Sequence, residues 1–473
     1  MTLADRRLHG DTPRPGVNVE DQESMPTFTD YLKADRGAPP EFFFERSTRD
    51  LGNDSVPVEV FTSPVWHQRE TEKLWTRMWQ VACRENDVPN VGDQLAYDVV
   101  GQSVLVVRTA PDEIRAYHNS CRHRGTRLVE SCASASQIQC TFHSWTWNLD
   151  GTLKHIPCRW DFPTVCDEEV PLVEVKVARW NGMVWVNLDP GAGPLEDFIP
   201  GEVRRQLERW PENRGWKAAH IGKILPCNWK AALAAFIEVY HAFKVHPELM
   251  EYAADANAQY DFYGPHARML SAIGAPSPHL GQASDDQAIV DAMLGDAFAN
   301  LFGDSGAAPE IPQLGPGDTA RGLLSDFMRQ SLGAQTGVDF SGISDTEVLD
   351  AIEYFVFPNT VIWGGYAFPM HYRVRPNGHD HRSCLWEVMI IAPMPEGVPL
   401  PPDVPMRMTA TEEPWSASAE LALLGPILDQ DMVNLTKLQR GLESDACQAV
   451  RLSNYQERNI RNFHQHLAAR LEG

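Results

Sequence analysis

Between residues 56 and about 180 the apolar positions come in short runs split by turn residues. Gln94-Leu-Ala-Tyr-Asp-Val-Val and Ser103-Val-Leu-Val-Val-Arg are examples, and Gly182-Met-Val-Trp-Val-Asn-Leu follows just beyond. Runs of this length and spacing predict a small all-β domain. The texture changes near residue 200. Residues 231–240 predict a helix, as do 285–301, the latter inside a mixed stretch, 283–350, with a Gly/Pro-rich loop at 303–318. Strands are predicted within 355–375 and at 384–392, and helices at 418–442 and 455–471. The first of these helices is expected to break or kink at Gly425-Pro426, since proline removes a helix donor. Helices flanking antiparallel strands make an α+β domain. Residues 1–55, polar and rich in Gly, Pro and charge, read as an extended arm or surface wrap, partly disordered. The expected organisation is therefore an arm (1–55), a small all-β domain (56–180) and an α+β domain (181–473).

The chain is 473 residues long, enough for two or three compact domains. Its formal net charge of −23 argues against nucleic acid or anionic lipid as a main partner. It contains no apolar run long enough to span a membrane and no apolar signal core near Met1. Nine cysteines, an odd number, do not make a disulfide framework, so a reducing cytoplasm is expected.

Chemistry enters with Cys121-Arg-His123, sixteen intervening residues, and Cys140-Thr-Phe-His143. Two thiolates and two imidazoles on two loops suit either a tetrahedral zinc or a [2Fe–2S] cluster with histidines on one iron. Cys132 is off the motif spacing, and Cys83, Cys158, Cys166, Cys227, Cys384 and Cys447 read as packed thiols. A second motif follows: Asn228-Trp-Lys, then Glu238, Val, Tyr240, His241, and His246-Pro247. Glu238 and His241 are three apart, hence on one helix face. His246 is about 140° around a regular helix from His241. Pro247 pushes its predecessor out of the α conformation, so a helix break there could return His246 toward His241; a π-type bulge between the two would also serve. Two histidines and one carboxylate form the facial triad of non-heme Fe(II) oxygenases. Asp431 and Asp429 are the candidate carboxylates. His379-Asp-His381 lies in a turn-rich stretch and reads as a solvated loop.

Cys121-Arg-His-Arg-Gly125 and Cys140-Thr-Phe-His-Ser-Trp145, followed by Gly151, closely resemble the two cluster loops of Rieske proteins. With the second motif, the chain from about 56 to 466 resembles the catalytic α subunits of Rieske non-heme iron, aromatic-ring-hydroxylating oxygenases. The resemblance implies a Rieske [2Fe–2S] domain on Cys121, His123, Cys140 and His143, and a helix-grip catalytic domain around a mononuclear Fe(II). It selects Asp431 over Asp429, because the family's ligand Asp opens a helix and is followed three residues later by Asn, here Asn434. It implies trimeric rings, with or without a β subunit, in which a carboxylate at Glu238 bridges His143 of one subunit to His241 of the next. Ring-hydroxylating dioxygenases usually carry Asp there; Glu is more typical of demethylating and monooxygenating relatives, including quaternary-amine oxygenases.

The implied function is a terminal oxygenase acting with O₂ on a hydrophobic, aromatic or ring-containing small molecule, as in aromatic hydrocarbon catabolism. An N- or O-demethylating monooxygenase and a non-enzymatic electron-transfer or ligand-binding protein are the alternatives. By position, Ala234, Ala235, Phe236, Ala242, Leu421 and Ile427 are substrate-pocket candidates, with ordinary core packing as the competing reading. No flavin or nicotinamide motif is visible. Electrons are therefore expected from a separate NAD(P)H-dependent reductase, directly or through a ferredoxin.

Overall fold

In the computed structural model, residues 26–210, 215–280, 284–302, 310–395, 397–422 and 424–472 are described. The predicted β runs form a seven-stranded sheet in the order Gln80–Arg84, Met183–Asn187, Glu174–Trp180, Glu113–His118, Gln102–Ala110, Asp93–Val99 and Cys132–Ser134. A three-stranded sheet of Ile138–Gln139, Thr146–Trp147 and Leu153–His155 accompanies it. Met183–Asn187 lies past the expected boundary at 180, yet it fills the gap between Gln80–Arg84 and Glu174–Trp180. All five of its residues are buried, so the strand cannot leave that sheet.

The second sheet has eight strands, in the order Ala253–Tyr263, His266–Ile273, Ala351–Val356, Thr360–Gly364, Met370–Asn377, Asp380–Pro393, Gly215–Leu225 and Arg407–Thr409. All neighbours are antiparallel except the last pair. One face packs on Trp229–Ala234, Leu424–Leu442 and Arg458–Glu472 through Phe355, Tyr372, Trp386, Leu428, Leu435 and Phe463. The other face carries Ile352, Tyr354 and Ile362 against Phe28, Phe43 and Trp210. The described part of the arm is thus packed: Phe43 stacks on Trp210 at 6.0 Å, and Arg36 pairs with Asp345 and Asp326. The expected disorder concerns residues 1–25, outside the described residues.

The two domains are clamped by buried charges. Arg84 meets Asp403 at 2.9 Å, Lys217 meets Asp87, and Arg373 donates to the carbonyls of Val81 and Ala82. Removing one partner of such a buried pair would leave an uncompensated charge at the domain junction. Gly425-Pro426 does not break a helix. The helix starts at Leu424, and proline in a first turn lacks only a donor that would be unpaired anyway. Residues 415–417 and 419–421 are separate 3₁₀ turns.

Candidate metal centres

The two cluster loops share one backbone pattern. Cys121 N–H donates to Thr126 O and Gly125 N–H returns to Cys121 O; Cys140 N–H donates to Trp145 O and Ser144 N–H returns to Cys140 O. Each turn needs a left-handed residue four places after its cysteine. Gly125 takes it at φ +79° without cost, and Ser144 takes it at φ +57°. The loops bring all four predicted ligands together: the Cys121 and Cys140 thiols lie within electrostatic reach of one another, and the rings of His123 and His143 are 4.8 Å apart. Burial raises the Cys121 thiol pKa. Burial also opposes ionisation of Cys140, but the backbone N–H groups of Phe142 and His143 outweigh it and lower that pKa. Backbone donors aimed at sulfur suit a thiolate that binds iron. Asn119 holds the first loop, accepting from the N–H groups of Leu128 and Val129 and donating to Val129 O. His123 stacks on Trp145 at 5.0 Å, while His143 and Phe142 are exposed. Of the thiols expected to be packed, Cys83, Cys227 and Cys384 are buried and Cys447 is half-buried, whereas Cys158 and Cys166 are exposed on polar segments; Cys132, off the motif spacing, is exposed too.

The second site is built differently from its sequence prediction. The helix Trp229–Ala234 stops short of Glu238, so Glu238 and His241 do not share a helix face. Asn459 Nδ2 caps the freed carbonyl of Ile237. Glu238 instead closes a turn, accepting from the His241 backbone N–H at 3.1 Å and pairing with its Nδ1 at 2.7 Å. The helix Ala242–Val245 then ends at His246, whose φ of −122° and ψ of 59° are non-helical, with Pro247 starting the next turn. The break forced by Pro247 is the one the sequence predicts. Asp431 arrives from the opposite helix, on its buried face; it lies inside Leu424–Leu442 and does not open it, contrary to the family expectation. Asp429 is occupied elsewhere, accepting from the Trp415 and Ser416 N–H groups and the Ser416 hydroxyl.

Donor atoms of His241, His246 and Asp431 all lie within 4.8 Å of one another. Asp431 Oδ1 is 3.2 Å from His246 Nε2 and 3.6 Å from His241 Nε2. Each Nδ1 is already engaged, His241 by Glu238 and His246 by Gln430 Oε1 at 2.6 Å. Those contacts place the ring protons on Nδ1 and turn two Nε2 lone pairs toward a carboxylate, a donor set that calls for a cation between them. Burial disfavours the charged His241 ring, but Glu238 and then Asp431 outweigh it and raise its pKa. Gln430 escaped the sequence reading; its adjacency to Asp431 was the only available signal. Among the described residues no other group of three His, Cys, Asp or Glu converges in this way. His379 is exposed in a turn, as expected, whereas His381 is half-buried in the strand Asp380–Pro393, where its carbonyl accepts from Asn228 Nδ2; neither belongs to the triad.

A cavity of about 740 Å³ reaches His241 and Asp431 beside Glu238, Asn434, Ala234 and Ala235. Phe236, Ala242, Leu421 and Ile427 are not in its lining. Phe236 packs on Trp386 at 4.1 Å and Leu421 is core, so packing explains these two positions. Ala242 and Ile427 are half-buried.

The family model "Ring hydroxylating alpha subunit (catalytic domain)" matches residues 207–473, and "Rieske [2Fe-2S] domain" matches 78–166. The carnitine monooxygenase oxygenase subunit of Escherichia coli (strain K12) is 30% identical over 195 residues, 41% of this chain and 52% of that protein. Biphenyl 2,3-dioxygenase subunit alpha of Rhodococcus jostii (strain RHA1) is 28% identical over 190 residues, 39% and 41% of the two chains. The chain thus spans about half the length of the curated relatives it matches. The quaternary ammonium Rieske monooxygenase CntA with L-carnitine shares the fold, with TM-score 0.62 at 18% identity over 89% of this chain and 96% of that one. Naphthalene 1,2-dioxygenase with indole bound does so too, with TM-score 0.60 at 16% identity over 90% and 93%. With more than half of its length matched by the catalytic-domain model and the cluster-domain model placed ahead of it, the chain belongs to the ring-hydroxylating alpha subunit family.

Proposed function

We propose that the protein is a terminal oxygenase that uses O₂ and electrons from a separate reductase to oxidise an organic small molecule. The observation that carries this reading is the convergence of His241, His246 and Asp431 beside Glu238, in a chain that also holds a Cys₂His₂ cluster cradle. When bound, a mononuclear iron supplies oxygen activation and a [2Fe–2S] cluster supplies electrons.

The chain's own residues do the rest. Glu238 and Gln430 hold the Nδ1 protons so that both Nε2 atoms face inward. Exposed Phe142 and His143 suit a cluster that meets a second copy, and Glu238 at the cavity edge is where that copy's cluster would dock. The family resemblance makes that assembly a homotrimer, with or without a β subunit, and a reductase, directly or through a ferredoxin, the further partner. Nine free thiols fit a reducing cytoplasm. No helix among the described residues is long and apolar enough to cross a membrane.

Relatives named for biphenyl and naphthalene support hydroxylation of an aromatic ring. A second reading, oxidative removal of a methyl group from nitrogen, is supported by Glu238 and by the relatives named for carnitine and quaternary ammonium compounds. The test is reconstitution with ¹⁸O₂, NADH and a heterologous reductase. Label in the product, about three irons per chain, and no turnover with NADH alone support the oxygenase reading; formaldehyde release selects the demethylase. A protein with iron only in the cluster and no labelled product overturns it.

A further inference from the structure

A set of buried charges lies where the two large sheets meet, away from both metal centres. The seven-stranded sheet ends in Gln80–Arg84 on one side and Cys132–Ser134 on the other. Val81 and Cys132 nevertheless line one cavity of about 260 Å³, so the sheet curls until its two edge strands face each other without pairing. An open edge leaves backbone groups unanswered. Arg373 of the catalytic sheet reaches in and answers two of them, the carbonyls of Val81 and Ala82. This cavity shares no lining residue with the one at His241 and Asp431.

Four cations line it, Arg84, Lys217, Arg373 and Arg375, against three carboxylates, Asp87, Glu387 and Asp403. With histidine counted neutral, one positive charge is left over. The carboxylates are all engaged. Asp403 accepts from Arg84 Nε and the Lys217 N–H, and Asp87 from Lys217 Nζ and the Arg84 N–H. Glu387 accepts from Arg373 and Arg375 Nε and pairs with His220. The guanidinium left short is that of Arg375. It is 7% exposed, and among the described residues only its Nε is hydrogen-bonded; Nη1 and Nη2 are not. Its face lies 4.8 Å from the Tyr97 ring, which leaves the edge of the fork free. A buried charge that lacks partners is costly.

We propose that this junction cavity is an effector site for a small organic monocarboxylate, held by the outer fork of Arg375 with its apolar body against Val81, Leu95 and Met389. The surroundings select this class of anion. A carboxylate matches a planar guanidinium through two parallel hydrogen bonds. One surplus charge suits a monoanion, whereas a phosphate dianion would bring a second negative charge beside Glu387. Chloride would leave the apolar walls unused. Ser131, Cys132 and Met406 are exposed and mark where the cavity meets the surface. A ligand here touches both sheets, and one held only by the folded state stabilises it. The site lies apart from the reaction centre, so the inference goes beyond the oxygenase reading and does not depend on it.

The test is calorimetry on the full chain, loaded with cluster and iron, in a buffer free of carboxylate and phosphate. The probes are 3-methylbutanoate and its neutral isostere, 3-methylbutanamide, with chloride and phosphate as further arms. The wild-type protein is expected to bind the acid about tenfold or more tighter than the amide, and to melt at a higher temperature in its presence. Arg375→Gln should lose about tenfold or more in affinity for the acid and little for the amide. Glu387 keeps Arg373 and His220 in that variant, so the junction should still form. Ala96→Leu fills the cavity from the strand Asp93–Val99 and leaves Arg375 in place; it guards against a misfolded first variant and should weaken both probes. No binding of the acid, equal binding of acid and amide, or tighter binding of chloride or phosphate overturns the proposal. So does acid affinity that is unchanged in Arg375→Gln, the result expected of a carboxylate bound at the mononuclear iron, or unchanged in Ala96→Leu.

Discussion

The two candidate metal centres are opposite solutions to one problem. The candidate cluster cradle is local and opens to the surface: four candidate ligands within 23 residues, on two matching turns, with both cysteines buried and His143 and Phe142 facing out. The triad is assembled from afar and enclosed. Asp431 lies 185 residues beyond His246, and their side chains are only 4% and 5% exposed. A centre that hands electrons to another protein gains from exposure, since electron transfer needs close approach. A centre that handles oxygen gains from walls that exclude water. The difference also predicts how each fails. The cradle depends on backbone turns, whereas the triad depends on packing between helices and on hydrogen bonds behind each ligand.

The largest effect should come from separating the two. His246→Ala or Asp431→Ala is expected to abolish mononuclear iron and all product while keeping the visible absorption of the cluster. Cys140→Ala should bleach the protein and leave the triad able to bind added Fe(II). Iron analysis alongside absorption spectra reads both, and loss of cluster colour in a folded Asp431→Ala protein would break the comparison.

Next is the link between them. Glu238→Ala should keep both metals and the dithionite reduction of the cluster, yet slow single-turnover product formation by orders of magnitude. The lost contact with His241 accounts for only about 1–3 kcal/mol, or about 5- to 150-fold, so a slowing of about a thousandfold or more identifies Glu238 with the electron route and not with ring support alone. Glu238→Gln keeps the size without the charge and should fall between.

A smaller effect is expected at Gln430. Its Oε1 orients His246, and outer partners of this kind are typically worth about 10–100-fold in metal affinity. Gln430→Leu should therefore release iron during competition with a chelator at concentrations where the wild type retains it, with the cluster unaffected.

The same contrast explains what could be read before the structure. Cys121, His123, Cys140 and His143 were legible because their spacing is their geometry. His246 was legible because Pro247 fixes a local conformation. The helix expected at 231–240 ends at Ala234, because propensity cannot register that Asn459, from the far end of the chain, caps Ile237 O. Asp431 could be separated from Asp429 only by family spacing; the physical reason, that Asp429 holds the Trp415–Ser416 turn, is a tertiary fact. The strands Gly215–Leu225, Ala253–Tyr263 and His266–Ile273 went unpredicted. Their alternation mixes buried Lys217, Lys223, Asp255 and Arg268 with apolar residues, and those charges are buried only because partners from distant strands and loops answer them.

The smallest predicted effect concerns acid, and it falls on the catalytic side of the comparison. His464 lies in the helix Arg458–Glu472 between Phe61 at 5.3 Å and Phe463 at 4.9 Å, and its Nε2 has no partner. Burial, with the Lys230 ammonium as a lesser cause, pushes its pKa down to about 3. The folded state therefore keeps this ring neutral at pH values where the unfolded chain, near the ordinary histidine value of 6.5, has bound a proton. The unfolded state binds more protons between pH 6.5 and about 3, so stability falls as pH drops through that window, at no more than about 1.4 kcal/mol per pH unit for one group. His266 is pushed down to about 4 by burial, and its Nδ1 accepts from the Phe357 N–H, so it acts in the same direction. Urea unfolding at pH 7 and pH 5.5, followed by tryptophan fluorescence, should show the loss. His464→Phe keeps an aromatic ring in the gap and removes the titration, so its stability should depend less on pH than the wild type's. An unchanged slope would mean that the ring is already charged in the folded protein, and that the packing around Phe463 is looser than the structure has it.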